Sequence, residues 1–209
     1  MNSNEIKGLA NSIRLTDRQK EILVGLLLGD GHLETQNKGR TFRLKVEHSL
    51  NQKDYVDWLY DQFKELVLTK PQIKEQKVKG VVYQKYWFST ISTAAFRFHG
   101  QQFYPVGKKV VPKMIAKITT PLSLAIWFMD DGSLKSHLHR ARIINTQGFS
   151  TDCLQKLQEM FVKTFQIQTT LRKQSEGNQI YIPSVETDKF INLIKVFIIP
   201  SMEYKIKLT

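Results

Sequence analysis

The 209-residue sequence holds a single cysteine, Cys153. One thiol closes no intramolecular disulfide and builds no zinc site of the multi-cysteine kind. It reads as a small apolar residue on a helix. Long hydrophobic runs are missing too. The longest, Ile22 to Leu28, falls far short of the roughly 20 residues that a membrane-spanning helix takes. The opening MNSNEIKGLANSIRLTDRQK carries acids and no apolar core, so no secretory or transit peptide is read there. There is no Gly-rich phosphate loop, which argues against nucleotide hydrolysis. Acidic charge is scarce: 19 Asp and Glu face 31 Lys and Arg, a net charge of +12. Such an excess points to a polyanionic partner, most often nucleic acid. The hydrophobic fraction of 41% is that of a globular chain, long enough for one or two domains with a real core.

Two apolar stretches run straight into an acid. Leu23 to Gly31 reads LVGLLLGDG, and Ser123 to Gly132 reads SLAIWFMDDG. Asp30 and Asp131 lie about half the chain apart. A helix apolar on nearly all sides is buried on most of them, and two such helices bury best against each other. Gly25 and Gly29 share one helical face nearly free of side chains, which permits close backbone approach. Helices side by side would bring Asp30 and Asp131 together at their C-terminal ends. There the carboxylates repel and the helix dipoles add negative potential. A hard cation such as Mg²⁺, which takes one or two carboxylates plus phosphate and water, would offset that. Paired sites of this kind serve phosphodiester hydrolysis.

Around these stretches the order of elements repeats although the residues do not. Arg40 to His48 alternates Phe42, Leu44 and Val46 with Arg43, Lys45 and Glu47, a strand with one charged face. Asn51 to Val67 sets Tyr55, Leu59, Phe63 and Leu66 at helical spacing. Strands follow over Gln72–Val78 and Val81–Thr90, joined by a Lys79-Gly80 turn, then a helix over Thr93–Phe103. The second half repeats this plan. A strand runs over Arg140–Gln147, then a helix over Asp152–Phe165 with Ser150 or Thr151 as N-cap. Strands over Ile167–Lys173 and Gln179–Pro183 precede a helix over Asp188–Ile198. A short strand is expected just after each acid, near His32–Glu34 and Leu134–Lys135. Short connections favour antiparallel pairing. Lys109 and Lys205 stand at matching places after the two halves, nearly as far apart as the acids.

These two motifs resemble those of the LAGLIDADG homing endonucleases, in their monomeric, intron-encoded branch. Leu23, Gly25, Leu26, Asp30 and Gly31 agree with the nine-residue pattern, as do Leu124, Ala125, Asp131 and Gly132. The run Thr120 to Gly132, with Asn145-Thr146-Gln147-Gly148-Phe149 downstream, is similar as well. The resemblance implies an α+β fold of two pseudo-symmetric αββαββα domains in one chain, with residues 1–18 as a lead-in and domains at 19–113 and 114–209. It implies antiparallel sheets forming a DNA-binding saddle, and site-specific cleavage of double-stranded DNA that leaves short 3′ overhangs and promotes intron mobility. Asp30 and Asp131 would bind Mg²⁺, with Mn²⁺ as a substitute and the backbone of Gly29 and Asp130 as further ligands. Lys109 and Lys205 would polarise the attacking water or stabilise charge on the phosphorus. The second motif departs from the pattern with Ile126 for a glycine and Asp130 for a small residue. That face should pack less closely, and the two sites should cut at unequal rates. Asp130 is read as a solvated cap or an outer-sphere group.

Base edges are read by long polar side chains. Arg40, Arg43, Lys45, Glu47, Lys74, Gln76, Lys85 and Arg142 are candidates on alternating strand positions, with Asn145, Gln147, Arg172, Lys173, Gln179 and Tyr181. An ordinary solvated sheet face shows the same alternation; the basic excess favours DNA. Glu75-Gln76-Lys77 and His137-Leu138-His139 resemble other nuclease or metal signatures, but read as a solvent-facing strand and a polar loop. The main alternative is an RNA-binding intron maturase, for which a basic sheet with aromatics would serve. The retention of both acids and both lysines favours the nuclease. With both motifs in one chain, a monomer is expected, and no membrane partner. The many Lys and Asn residues fit an A/T-rich coding genome, hence a mitochondrion or chloroplast, where an organelle-encoded chain needs no targeting peptide.

Overall fold

The computed structural model describes residues 8, 10, 12–136 and 139–207. Two compact units emerge: Met1–Lys20 with Asp30–Gln101, and Glu21–Gly29 with Gln102–Thr209. Helix α1 (Asp17–Leu28) begins in the first and continues into the second. No helix among the described residues is long and apolar enough to cross a membrane.

The first unit holds β1 (His32–Glu34), β2 (Arg43–Ser49), α2 (Lys53–Phe63), β3 (Gln72–Val78), β4 (Val81–Ser89) and most of α3 (Arg97–Phe103). Its sheet is antiparallel with order β1-β2-β4-β3. Lys79 and Gly80 both take positive φ at the β3–β4 turn, the backbone that a two-residue hairpin requires. Period-two alternation sends Leu44, Val46 and His48 of β2 and Tyr86 and Phe88 of β4 to the buried face. Tyr55, Leu59 and Phe63, spaced one turn apart on α2, are fully buried in the same core. The Tyr86 hydroxyl donates to Asp57 at 2.9 Å, which fixes α2 to β4. The helix expected to Val67 tightens into a 3₁₀ turn over Lys64–Leu66.

His99 lies inside this unit, 6% exposed, edge-on to Phe98 at 5.2 Å. Desolvation, helped by the nearby Lys20 ammonium, pulls its pKa from 6.5 to about 4. The unfolded chain therefore binds a proton that the folded chain refuses between those values, and stability falls as pH drops through that window. The full effect is about 3 kcal/mol at 1.36 kcal/mol per pKa unit. Urea unfolding from pH 7 to pH 4 should show this loss in the wild type and a shallower decline in His99→Phe. Equal slopes would remove His99 from the acid response.

The second unit holds the C-terminal two-thirds of α1, α4 (Ile115–Ile118), α5 (Pro121–Asp131), β5 (Gly132–Ser136), β6 (His139–Ile144), α6 (Thr151–Met160), β7 (Thr170–Gln174), β8 (Gly177–Ile182) and α7 (Ser184–Ile194). Its sheet repeats the order of the first, β5-β6-β8-β7, again antiparallel. Ser150 caps α6 by accepting from the Cys153 amide at 3.4 Å, and Cys153 is buried on that helix. Pro183 ends β8 and precedes α7, which starts at Ser184, four residues before the expected Asp188. Phe190 of α7 meets Phe128 of α5 edge-to-face at 5.1 Å, and Trp127 packs near Phe161 at 6.1 Å. His139 opens β6 rather than lying in a loop. His137 and Leu138, with residues 1–7, 9 and 11 of the lead-in, fall outside the described residues.

Candidate active site

The two greasy helices are built differently and fit each other. α5 starts at Thr120, whose hydroxyl accepts from the Ser123 amide, with Pro121 preset for the first turn. Residues Leu122 to Met129 are all buried. The Thr120 and Ser123 hydroxyls donate to Glu21, to its carboxylate at 2.7 Å and its carbonyl at 2.8 Å, and tie α5 to α1. A methyl group on Gly25 would lie 2.6 Å from Ile126 Cβ and closer still to the Ser123 carbonyl oxygen. One on Gly29 would lie 2.6 Å from Asp130 Cβ. Ile126 and Asp130 were expected to hold the helices apart. Instead each fills the space that a glycine of α1 leaves, so the backbones still approach closely. Asp130, half-exposed, therefore packs against Gly29 as well as being polar.

At the ends of these helices the acids follow directly. Asp30 stands two residues past α1, with its side chain 52% exposed. Asp131 is the last residue of α5, half-buried. Next to each acid, a lysine turns its ammonium onto backbone carbonyls. Lys109 Nζ donates to Gly29 O at 2.8 Å. Lys205 Nζ donates to Asp130 O at 3.0 Å and to Met129 O. The C-terminal carbonyls of a helix carry its negative end, so both places attract a cation. Lys205 is 8% exposed, whereas Lys109 is half-buried. His48 is a residue that the sequence reading did not single out. Its Nδ1 lies 3.6 Å from an Asp30 oxygen. The signal was present: His48 continues the inward series of Leu44 and Val46. Thr146, at the matching place in the second unit, donates to Asn178 O at 2.8 Å instead.

The sheet registers sort the remaining candidates. Lys45 pairs with Ser89, Glu47 with Trp87, and Ser49 with Lys85; Lys85 pairs in turn with Lys74, and Tyr83 with Gln76. Arg43, Lys45, Glu47, Lys74, Gln76 and Lys85 therefore share the outer face of the first sheet. Glu47 accepts from Lys74 at 2.6 Å and lies 3.5 Å from Lys45. Burial raises its pKa, but the two ammonium groups outweigh this and hold it below the ordinary carboxylate range. Arg43 donates to Glu34 at 2.7 Å. In the second sheet Arg172 pairs with Gln179, and Tyr181 follows on the same face; Lys135 lies over the Tyr181 ring at 5.9 Å.

Five candidates fall elsewhere. Arg40 precedes β2 in a loop. Asn145 and Gln147 follow the end of β6, because the ladder stops at Ile144. Asn145 there donates to Asp131 O at 3.0 Å and accepts from Gln179 at 2.7 Å, which links the acid to the sheet. Lys173 neighbours Arg172, so alternation turns it to the opposite face, the one Leu171 shares, where it pairs with Asn178. Arg142 is 2% exposed, its guanidinium bonded to backbone carbonyls rather than offered to a groove. Glu75, Gln76 and Lys77 are exposed along β3, as a solvent-facing strand should be. Among the described residues no cluster of three or more His, Cys, Asp or Glu side chains is poised for a metal.

The family model described as the LAGLIDADG DNA endonuclease family matches residues 20–190. The chain is 30% identical to the DNA endonuclease I-ChuI of Chlamydomonas applanata, over 92% of this chain and 95% of the relative. It is 28% identical to the cytochrome b mRNA maturase bI2 of Debaryomyces hansenii, over 89% of this chain and 72% of the relative. Among solved structures, the homing endonuclease I-WcaI bound to its DNA recognition sequence superposes with a TM-score of 0.93 at 28% identity. That match covers 100% of this chain and 94% of the other. With its two acid-ended helices and two like-ordered sheets, the chain belongs to the LAGLIDADG DNA endonuclease family.

Proposed function

We infer that this chain is a site-specific homing endonuclease that hydrolyses both strands of a long double-stranded DNA target, one strand per motif. The observation that carries it is the duplicated arrangement at the helix ends: an acid, the carbonyls just before it, and a lysine ammonium upon them, within a family of DNA endonucleases. By motif, the two halves of the machinery run over residues 19–113 and 114–209 of a single monomeric chain, although the compact units divide otherwise, with Glu21–Gly29 in the second.

A divalent cation, Mg²⁺ with Mn²⁺ as substitute, fits the donors present. Each site offers one carboxylate and backbone carbonyls at a negative helix end, the hard oxygen donors such an ion takes, with phosphate and water completing its shell. The ammonium groups already drawn to Gly29 O and Asp130 O support a preference for positive charge there. When bound, the ion supplies Lewis-acid stabilisation of the phosphate and of the leaving oxygen. Asp30 and Asp131 would hold it, with Gly29 and Asp130 carbonyls beside them. Lys109 and Lys205 donate charge-assisted hydrogen bonds as negative charge grows on the phosphate oxygens. The bond from water oxygen to phosphorus forms as the bond to the 3′ oxygen breaks, the water giving up a proton to solvent and the 3′ oxygen leaving as a hydroxyl with a proton from solvent.

The outer face of the first sheet, with Arg43, Lys45, Lys74, Gln76 and Lys85, meets the DNA, as do Arg172, Gln179 and Tyr181 of the second. Arg40, Asn145 and Gln147 reach it from loops. Binding through so many cations should weaken steeply with salt. A titration from 50 to 200 mM salt is expected to lower the affinity by at least about 10³-fold, and a flat profile would speak against a phosphate-dominated interface. An organellar intron is the setting that fits the composition.

The test is a cleavage assay. The purified protein is given Mg²⁺ and the uninterrupted version of the gene that hosts the reading frame. A double-strand break with short 3′ overhangs near the exon junction is expected. Tight binding without a cut would overturn the nuclease. It would favour the second reading, an intron maturase, which the likeness to a cytochrome b mRNA maturase keeps in view.

A further inference from the structure

Counting three residues past each acid leads to Leu33 and Leu134. Leu33 pairs with Leu44 of β2, and Leu134 pairs with Arg142 of β6. At matched places one sheet turns a leucine inward and the other an arginine. Arg142 also faces Ile182 across the sheet and is among the largest fully buried side chains. Taking a guanidinium out of water is costly, and a well-packed apolar residue would serve the core at least as well. The arginine must therefore do something that leucine does not.

Its hydrogen bonds say what. Nη1 donates to Arg140 O and lies 3.5 Å from Ala141 O, both on its own strand. Nη2 donates at 2.7 Å to Ile206 O, on the C-terminal segment. Ile206 follows Lys205, whose ammonium meets Met129 O and Asp130 O beside Asp131. The amides of Ile206 and Lys207 turn back onto Glu203 within the segment itself, so they do not fasten it to the sheet. The loop carrying Lys109 is held otherwise: Val110 N donates to Phe103 O at 2.8 Å and Val111 N to Cys153 Sγ at 3.4 Å.

We propose that Arg142 is the positioning residue for Lys205: it clamps the C-terminal segment to β6, keeps the ammonium at the end of α5, and so governs cleavage of one DNA strand and not the other. This rests on the endonuclease function proposed above and on the part Lys205 plays in it.

Arg142→Leu copies the residue that the first sheet uses, so the fold is expected to survive; Arg142→Met is a second apolar variant and Arg142→Lys the conservative one. Each strand of the target is labelled separately and cleavage is followed in single turnover. Hydrogen exchange over residues 200–207 and DNA affinity are measured beside it. In Arg142→Leu, the strand slowed by Lys205→Met should slow by about 10²-fold, the scale of a misplacement near 1 Å. The other strand should stay within about twofold, nicked duplex should accumulate, and DNA affinity should hold. Arg142→Lys, which still reaches Ile206 O, should recover part of the rate. Adding Arg142→Leu to Lys205→Met should cost nothing further, because a residue that acts only by placing Lys205 has no effect once that ammonium is gone. Equal slowing of both strands, or wild-type rates on both, would overturn the proposal. Exchange separates it from the nuclease function. If the wild type cuts no DNA, that function fails, while faster exchange confined to 200–207 in Arg142→Leu still upholds the clamp and unchanged exchange overturns it.

Discussion

Asp30→Asn and Asp131→Asn are each expected to abolish double-strand cleavage, lowering the rate on one strand by about 10³-fold or more while leaving the duplex bound. The amide keeps the volume and shape of the carboxylate but loses the charge proposed above to hold a divalent cation. Losing that ion forfeits several kcal/mol of transition-state stabilisation, and each 1.36 kcal/mol is tenfold in rate. Affinity for DNA should not fall, because each change removes a negative charge from a surface that meets phosphates. Strand-resolved cleavage and a binding titration on the same samples check both halves of the expectation. Wild-type cutting of both strands by either variant would take that acid out of the chemistry. The two variants are not expected to be equivalent. Asp30 has His48 at 3.6 Å and a half-buried lysine beside its helix end, whereas Lys205 near Asp131 is buried. Unequal strand preferences in the wild type would follow from that.

Gly25→Ala should destabilise the protein by about 2 kcal/mol, and Gly25→Leu by more than about 3 kcal/mol. Helix propensity alone predicts the opposite, since alanine is favoured over glycine by about 1 kcal/mol in a helix interior. Packing decides the sign. The added carbon would sit 2.6 Å from Ile126 Cβ and against the Ser123 carbonyl oxygen, and a backbone oxygen does not swing aside. Ile126→Ala in the Gly25→Ala background should relieve part of the clash, so the double variant should lose less than the sum of the two singles. Gly148, with nothing within 4 Å of the same added carbon, provides the control, and Gly148→Ala should stay within about 0.5 kcal/mol. Urea unfolding measures all of these. A Gly25→Ala protein more stable than wild type would mean that the helices tolerate separation.

Periodicity carried most of the fold. Alternation in Arg43 to Glu47 placed β2 and its outer face correctly, because one side of that sheet is packed on α2 and the other is wet. The same rule failed where charge was taken as a sign of exposure. Arg142 sits at an inward position by register, yet its charge marked it as outward; no local signal separates a buried arginine with carbonyl partners from a solvated one. Arg172 and Lys173 are neighbours, and strict alternation already forbade both from one face. Asn145 and Gln147 were assigned to a strand that stops at Ile144, where the chain turns toward Gly148. His48 is legible in the inward series, where it follows Leu44 and Val46, but inward position alone does not distinguish a core histidine from one that reaches Asp30. Asp130 shows the limit of a motif read one helix at a time. Its place is set by Gly29 of the other helix, against which it packs.

The glycine-and-knob fit of α1 and α5 has a consequence for pairing. A twofold dimer of identical halves would meet like with like at its axis. Two copies of α1 would set Gly25 beside Gly25 and leave a hollow; two copies of α5 would drive Ile126 into Ile126 and Asp130 into Asp130. With glycines on one helix and the side chains that fill their space on the other, neither helix fits a copy of itself as it fits its partner. Anyone recombining half-enzymes to reach new target sites inherits this lock: the halves that can be exchanged are those whose hollows and knobs correspond, whatever bases their sheets recognise.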